Sequence, residues 1–382
     1  MKKTGLFLCL ISCLVSNSFG ERPLDEFLIS FWGGPQDAAQ AETIRRADFN
    51  TVMCRTSALP LCRLNNLKAI LFDVTPQMAL RLRRDPTVWG YALKDEPENH
   101  EFSELARQAD ALRRADPDHP VYINLGWKAD PQLFVQILRP RILSFDDYRW
   151  WWSNDFLPLL EEYRRISVAA RLPFLFWVEA NTGPDSEVGP GLIYPADNMA
   201  RIRSSVYTAL AYGAKGIQWF VDRLILQGPD LTRAGMDVAR INHELKRLGP
   251  ILLKLHSHDV FHCSPTPVPA KARMLPSDHW IQTSFHEGIL GLFKDSAGTD
   301  YVMAVNRGIK KDLEVSLRLG RRTKRAEILN KRSGLWEPLP LERIPRVSDH
   351  PGGGPFLKFP EITQLEIRVT LDRGDGQLIR LF

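Results

Sequence analysis

Glu96 closes the run VWGYALKDEP and Glu179 closes PFLFWVEAN, so each acid stands where an apolar, strand-like stretch gives way to a loop. Two carboxyl groups facing each other are the minimum equipment for hydrolysing a glycosidic bond. One holds the proton that the leaving oxygen needs, and the other holds negative charge against the anomeric carbon. Glu96 lies in an Asp-Glu-Pro tripeptide, where Pro97 ends the strand and Asp95 sits alongside. Glu179 follows Trp177 at the period-two spacing that points both to one face, and the Gly/Pro-rich stretch NTGPDSEVGPG comes next. The plainer alternative for both glutamates is a strand-end cap or an ion pair, for instance with Lys94.

The elements that must position these acids are legible upstream and downstream. Buried parallel strands are expected at EFLISFW, FNTVMC, LKAILFD, VWGYALKDE, VYINLG, ILSFDDY, PFLFWVEA and AKGIQWFV. Helical patterns lie between them. HEFSELARQADALRRADP repeats its apolar residues at three and four, and NDFLPLLEEYRRISVAARLP stops before Pro173. PADNMARIRSSVYTALAYGAKG ends in small residues before the eighth strand, and DVARINHELKRLGPILLKL is expected to bend or break at Gly249-Pro250. Alternating strands and helices of this number predict a (β/α)8 TIM barrel, in which strand ends converge on one catalytic mouth. An open doubly wound sheet would carry a Gly-rich phosphate turn after its first strand, and FWGGPQD lacks that spacing. After about His258 short alternating runs such as HWIQTSF, DLEVSLRL and QLEIRVTL predict an antiparallel β-sandwich. The expected division is a leader over 1–20, a catalytic barrel over 21–258 and an accessory sandwich over 259–382.

Composition narrows the partners. The formal net charge of +5, part of it from Lys2 and Lys3 in the leader, is too weak to argue for nucleic acid or an anionic membrane. MKKTGLFLCLISCLVSNSFG reads as an export signal, with a short basic start and an apolar stretch too short to span a bilayer. Cleavage after Gly20 would give a secreted or periplasmic protein; LISC read as a lipoprotein box would instead lipidate Cys13. No later segment is long and apolar enough for a transmembrane helix. Beyond the leader Cys54, Cys62 and Cys263 remain. Their odd number without CxxC spacing argues against a zinc site, and a Cys54–Cys62 bridge competes with buried free thiols.

Taken together, the Asp-Glu-Pro on strand four, the glutamate on strand seven and Trp219 in GIQWF on strand eight resemble clan A of the glycoside hydrolases. These are the 4/7 barrel enzymes that include families 5 and 42. The resemblance covers roughly residues 26–258. It implies that Glu96 is the acid/base, that Glu179 is the nucleophile and that Trp219 forms the floor beneath the cleaved sugar. It further implies that Arg55, just after FNTVMC, hydrogen-bonds the nucleophile, and that Tyr148, ending ILSFDDY, contacts it. Asp95 departs from the pattern, because relatives carry an asparagine there that donates to the sugar 2-hydroxyl, whereas an ionised aspartate only accepts. The C-terminal sandwich also looks like the accessory domain of many such hydrolases.

Further acids compete for a role. Asp73 ends strand three, Asp146 and Asp147 end strand six, and Asp222 follows strand eight; each suits either a sugar hydroxyl or a loop cap. Trp150, Trp151 and Trp152 form a candidate stacking platform after strand six, with Trp32 and Trp127 as further candidates at the ends of strands one and five. Trp280 and Trp336 are expected in the sandwich core. Histidines are few and do not cluster with the acids, which argues against a metal, and the two-carboxylate reaction implies no cofactor. The expectation is an exported retaining glycosidase acting on a carbohydrate. The rival is a secreted carbohydrate-binding barrel without turnover. Oligomeric state is not readable.

Overall fold

The computed structural model describes residues 24–148, 156–180, 196–220, 225–263, 272–283, 287–320, 323–345 and 363–382. The expected leader with Cys13 and Gly20, the tryptophans Trp150, Trp151 and Trp152, residues 181–195 after Glu179, and Asp222 lie outside the described residues.

All eight expected barrel strands form: β1 Leu28–Phe31, β2 Thr51–Arg55, β3 Lys68–Phe72, β4 Val88–Asp95, β5 Val121–Asn124, β6 Leu143–Phe145, β7 Phe174–Glu179 and β8 Gly216–Phe220. They pair in parallel as two four-stranded arcs, β2-β3-β4-β5 and β1-β8-β7-β6. The arcs are closed by the bridges Trp32 to Met53 and Leu125 to Phe145, which makes the sheet a barrel. Helices α1 Ala38–Arg46, α2 Leu59–Leu64, α3 Pro76–Leu82, α4 Phe102–Ala115, α5 Pro131–Leu138, α6 Phe156–Ala170 and α7 Asn198–Ala211 follow the first seven strands. Their starts are locally encoded. The side chains of Asp37, Thr75 and Asp130 accept backbone N–H bonds in the first turns of α1, α3 and α5, satisfying donors that the helix itself leaves unpaired.

Alternation along each strand sorts the side chains. Ile29, Phe31, Val52, Phe176, Val178 and Ile217 face the helix layer, while Leu28, Met53, Ile70, Tyr122, Leu175 and Trp177 fill the barrel interior. A short hairpin, β9 Leu226–Gln227 with β10 Asp230–Leu231, leads into α8 Arg233–Leu252. This helix runs unbroken through Gly249 and carries Pro250 inside it. The expected break is absent because Pro250 falls in the last turn, where it removes only one ladder bond. Gly249 is required for a different reason: a Cβ there would collide with the Cβ of Phe27.

The second domain opens with β11 His256–Cys263, just ahead of the expected boundary. Its strands are β12 Ile281–Thr283, β13 Gly288–Lys294, β14 Asp300–Asn306, β15 Leu313–Leu319, β16 Ala326–Leu329, β17 Trp336–Leu339, β18 Glu342–Pro345, β19 Thr363–Leu371 and β20 Gly376–Leu381. They form two antiparallel sheets, β11-β13-β14-β20-β16-β17 and β12-β15-β19-β18, with Leu290, Val302, Val315, Leu317, Ile367 and Ile379 between them. The first sheet is covered on its other face as well. Ile289, Phe293, Met303, Val305 and Leu378 join the main core of the barrel helices, which explains why GILGLFK and DYVMAVN are apolar runs rather than alternating ones. Trp280, expected between the sheets, is instead 39% exposed. Trp336 is half-buried and packs against the barrel-side core.

A buried ionic cluster fastens the two domains. Arg203 on α7 donates to both carboxylate oxygens of Glu244 on α8, each at 2.9 Å, and to Asp375 at the start of β20. Lys331 donates to the two oxygens of Asp375 at 2.6 and 2.7 Å. Burial works to raise the Asp375 carboxyl, but the Lys331 and Arg203 charges outweigh it and hold it below its ordinary range.

Candidate active site

The barrel interior is polar near its mouth, where a column of hydrogen-bonded side chains links the strands. Gln218 on β8 donates its amide to Ser30 Oγ on β1 at 3.1 Å, which leaves its carbonyl oxygen to accept from Tyr122 on β5 at 2.9 Å. Trp177 on β7 donates its indole N–H to the Tyr122 hydroxyl at 3.0 Å. Ser144 on β6 donates to Asn124 Oδ1 at 3.0 Å. Asn124 turns its NH2 group toward the acids. There it donates to Asp95 Oδ1 at 3.2 Å and to Asp146 Oδ2 at 3.0 Å. A fixed chain of donors therefore ends on two carboxyl groups of the mouth.

Those two belong to a larger acidic cluster drawn from three strands. Asp95 and Glu96 stand at the end of β4, Asp146 just after β6, and Glu179 at the end of β7. Neighbouring residues on a strand point to opposite faces, yet Asp95 and Glu96 both reach the mouth. A register shift between Ala92 and Lys94 pairs Asp95 with the inward-facing Asn124, and Glu96 then adopts a left-handed backbone with φ of 42°. For a non-glycine residue that conformation costs roughly 1–2 kcal/mol, the kind of strain found at functional positions. Glu96 N–H still donates to the Asn124 carbonyl at 2.9 Å. Its side chain lies over Gly126, where a Cβ would come within 3.1 Å of the Glu96 Cγ and Cδ. Lys94 is engaged elsewhere, 3.3 Å from Glu101.

Electrostatics follow from this crowding. Asp146, only 5% exposed, is pushed up to about 9, first by burial and then by the charge and hydrogen bond of Glu96, with Asp95 adding and the Asn124 amide opposing. Asp95 is raised by desolvation, partly offset by Asn124. Tyr148 is held well above its ordinary range by burial and by the surrounding charges of Asp146, Glu179, Asp95 and Glu96. It therefore keeps its proton. Asp147 is buried at 2% exposure, with its side chain engaged.

Beside the acids opens a cleft of about 680 Å³ bordered by Trp32, Arg55, Phe72, Asp73 and Phe220. Trp32 meets Phe72 at 5.0 Å and Trp177 at 5.9 Å between ring centroids, and Phe220 stacks on Tyr148 at 5.6 Å. Phe220 therefore touches both the cleft and Tyr148, whose hydroxyl lies within reach of the charges of the acids. Trp127 is 46% exposed in the loop after β5, next to Gly126 under Glu96.

Two expected site residues are placed differently. Trp219 is fully buried on the helix-facing side of β8, where its indole N–H donates to Asn242 Oδ1 of α8 at 2.8 Å. It cannot be the floor of a sugar site. The inward positions of β8 are Gln218 and Phe220, so Phe220 holds the place assigned to Trp219. Arg55 stands at the rim with 77% of its side chain exposed, and it pairs with Asp73 at 2.6 Å rather than with Glu179.

No protein-family model and no curated protein matches this sequence. Solved structures do resemble it. A candidate α-galactosidase/melibiase of Bacteroides fragilis superposes with a TM-score of 0.52 at 11% identity, over 94% of this chain and 79% of that one. A family 51 arabinofuranosidase of Xanthomonas axonopodis pv. citri gives 0.44 at 10% identity, over 95% and 98%. The α-L-arabinofuranosidase AbfB of Bifidobacterium longum gives 0.45 at 9%, over 95% and 96%. The first likeness carries the fold. It is a (β/α)8 barrel followed by a β-sandwich.

Sequence reasoning overlooked Asn124, Ser144, Gln218 and Phe220. A signal existed for the first three: each is a polar residue inside a short apolar strand, at the parity that points inward. Among the described residues no three His, Cys, Asp or Glu side chains are placed to hold a metal ion, and no helix is long and apolar enough to cross a membrane. Cys54, Cys62 and Cys263 are buried free thiols.

Proposed function

We propose that this chain is an exported retaining glycoside hydrolase acting on an oligosaccharide or polysaccharide. The carrying observation is the environment of Tyr148, whose hydroxyl feels the charges of both Glu96 and Glu179. The two glutamates therefore belong to one cluster at the end of the barrel where barrel enzymes do their chemistry. Glu179 attacks the anomeric carbon as the carboxylate while Glu96 protonates the leaving oxygen. Glu96 then takes a proton from the water that releases the glycosyl-enzyme, so each turnover returns both groups to their starting state. The aromatic surfaces of Trp32, Phe72 and Phe220 present apolar faces to the C–H faces of a pyranose. The candidate α-galactosidase that shares the architecture supports this reading.

A panel of aryl glycosides and polysaccharides tests it with purified protein. Glu179→Ala should abolish turnover on every substrate that is cleaved, and azide should restore it with inverted product. Glu96→Ala should be mild for aryl glycosides with good leaving groups and severe for natural sugars, because only the latter need protonation. Carbohydrate binding without turnover in the wild type would replace this reading with that of a binding barrel.

A further inference from the structure

The turn Trp32-Gly33-Gly34-Pro35 and the ion pair Arg55–Asp73 take no part in the two-glutamate chemistry, yet both border the cleft of about 680 Å³. That volume is usual for a small-molecule site, roughly 300–1,000 Å³. The glycines explain how the cleft is made. The backbone N–H groups of Trp32 and Gly33 donate to the Trp219 carbonyl at 3.1 Å and to the Met53 carbonyl at 3.2 Å, which lays the turn across β8 and β2. Gly33 has a φ of 132°, a backbone that residues with side chains rarely adopt. A Cβ on Gly34 would lie 2.4 Å from the Cβ of Cys54. The two glycines thus let the turn sit against β2 and hold the Trp32 indole beside Phe72, with ring centroids 5.0 Å apart. Trp32, Phe72 and Phe220 are each half-buried, so none is used up by the core.

The rim pair has no evident use in the fold. Arg55 Nη1 donates to Asp73 Oδ2 at 2.6 Å, but the two side chains are 77% and 66% exposed, and exposed pairs add little stability. Asp73 holds a left-handed backbone with φ of 57°, which is unfavourable for a residue with a Cβ. Strain that the fold does not recover points to a group kept for a ligand. One hydrogen bond leaves further N–H donors on the guanidinium and lone pairs on the carboxylate. A donor and an acceptor side by side, neutral in sum, match two adjacent hydroxyls of a sugar.

We propose that this cleft is a subsite for an uncharged sugar unit next to the one that is cleaved. Its C–H face lies on Trp32 and Phe72, and two adjacent hydroxyls meet the Arg55–Asp73 pair. Of the described residues at the cleft walls, none is Glu96, Asp146 or Glu179, so the unit held there is not the one attacked. It is the neighbour, because Glu179 stands in register with Phe220, which borders the cleft. The substrate is therefore a chain of at least two sugars, and neutral at this unit. A uronate there would bring its carboxylate against Asp73 and towards the acids of the mouth, and like charges brought together weaken binding. The link to cleavage rests on the hydrolase reading above; the binding of the sugar does not.

The experiment measures binding by isothermal titration calorimetry, on the full chain carrying Glu179→Ala so that nothing is turned over. The probes are neutral trisaccharides of gluco, galacto, xylo and arabino configuration, with the uronate form of each hexose trisaccharide. At least one neutral trisaccharide should bind, and a uronate form should bind at least about tenfold more weakly than its parent. Added to this background, Arg55→Met and Asp73→Asn should each weaken the best neutral probe about tenfold. The double variant should be little worse than either single one, because the pair acts as a unit. Asparagine accepts the left-handed backbone as aspartate does, and both side chains are exposed, so circular dichroism and denaturation midpoints should match the parent. Binding of no probe, a uronate bound as tightly as its parent, or rim variants that bind like the parent would each overturn the subsite. The hydrolase reading fails separately: a wild type that binds in this pattern and cleaves nothing keeps the subsite and loses the reaction. A wild type that cleaves, with rim variants that bind like the parent, keeps the reaction and loses the subsite.

Discussion

Trp219 offers the sharpest test of how side chains are sorted in this barrel, because its resemblance to a sugar-platform tryptophan and its observed place predict opposite phenotypes. Trp219→Phe removes the indole N–H and leaves Asn242 Oδ1 buried without its 2.8 Å donor. An orphaned buried acceptor costs about 1–3 kcal/mol. Phenylalanine also leaves about 40 Å³ unfilled, which at about 24 cal/mol per Å³ adds about 1 kcal/mol. The expected loss is therefore about 2–4 kcal/mol, a shift of about 1 M in urea midpoint for an m-value near 3 kcal/mol/M. In the Asn242→Ala background the same change should cost only the cavity share, giving a coupling of about 1–3 kcal/mol. Phe220→Ala should behave in the reverse way. It loses about 1 kcal/mol of stacking with Tyr148 but strips an aromatic face from the cleft, so KM and kcat should both suffer. Urea unfolding followed by circular dichroism, with steady-state kinetics on the best glycoside of the panel, separates the two. A Trp219→Phe protein with wild-type stability and a raised KM would refute the assignment of faces on β8.

Two further outcomes follow from groups that join the domains. His262 on β11 is buried against the Tyr212 hydroxyl at 2.8 Å and is held down to about 3, by burial first and by the Arg307 charge second. The unfolded chain takes up a proton near pH 6.5 while the folded one does not, so stability falls as pH drops from about 6.5 towards 3, by up to about 5 kcal/mol. His262→Gln should flatten that part of the curve of unfolding free energy against pH, and an unchanged slope would contradict it. Asp375→Asn should destabilise the whole chain by about 3–5 kcal/mol, because Arg203 and Lys331 are left buried with too little negative charge; an unshifted denaturation midpoint would refute a structural role for the cluster.

The barrel was legible because buried parallel strands are short continuous apolar runs, and eight of them alternate with capped helices. The sandwich was legible from the alternation in LEVSLRL and its neighbours, where one sheet face is dry and the other wet. What escaped depends on which way a residue turns at a strand end. In GIQWF the tryptophan is the conspicuous residue, but glutamine and phenylalanine take the inward positions, since Ile217 packs among the helices and parity does the rest. At KDEP the alternation itself fails. The shift at Leu93 and the left-handed turn at Glu96 bring two adjacent acids into one mouth, and no periodicity in sequence announces either. Arg55 is legible as the last residue of its strand, but its partner depends on how close β3 brings Asp73.

The polar residues inside the strands explain why the acidic mouth can persist at all. Four carboxyl groups, Asp95, Glu96, Asp146 and Glu179, gather at this end of the barrel, and an apolar interior beneath them would raise their mutual repulsion by lowering the local dielectric. Ser30, Gln218, Tyr122, Ser144 and Asn124 instead form a hydrogen-bonded column from below. Each buried hydrogen bond in this column is satisfied only if its neighbours keep their orientation, so the column converts the rigidity of the barrel into a fixed arrangement of acids. Asn124 is the member of the column that contacts the acids directly, at Asp95 and Asp146 together. The same bonds that satisfy a buried amide therefore set how closely Asp95 and Asp146 sit.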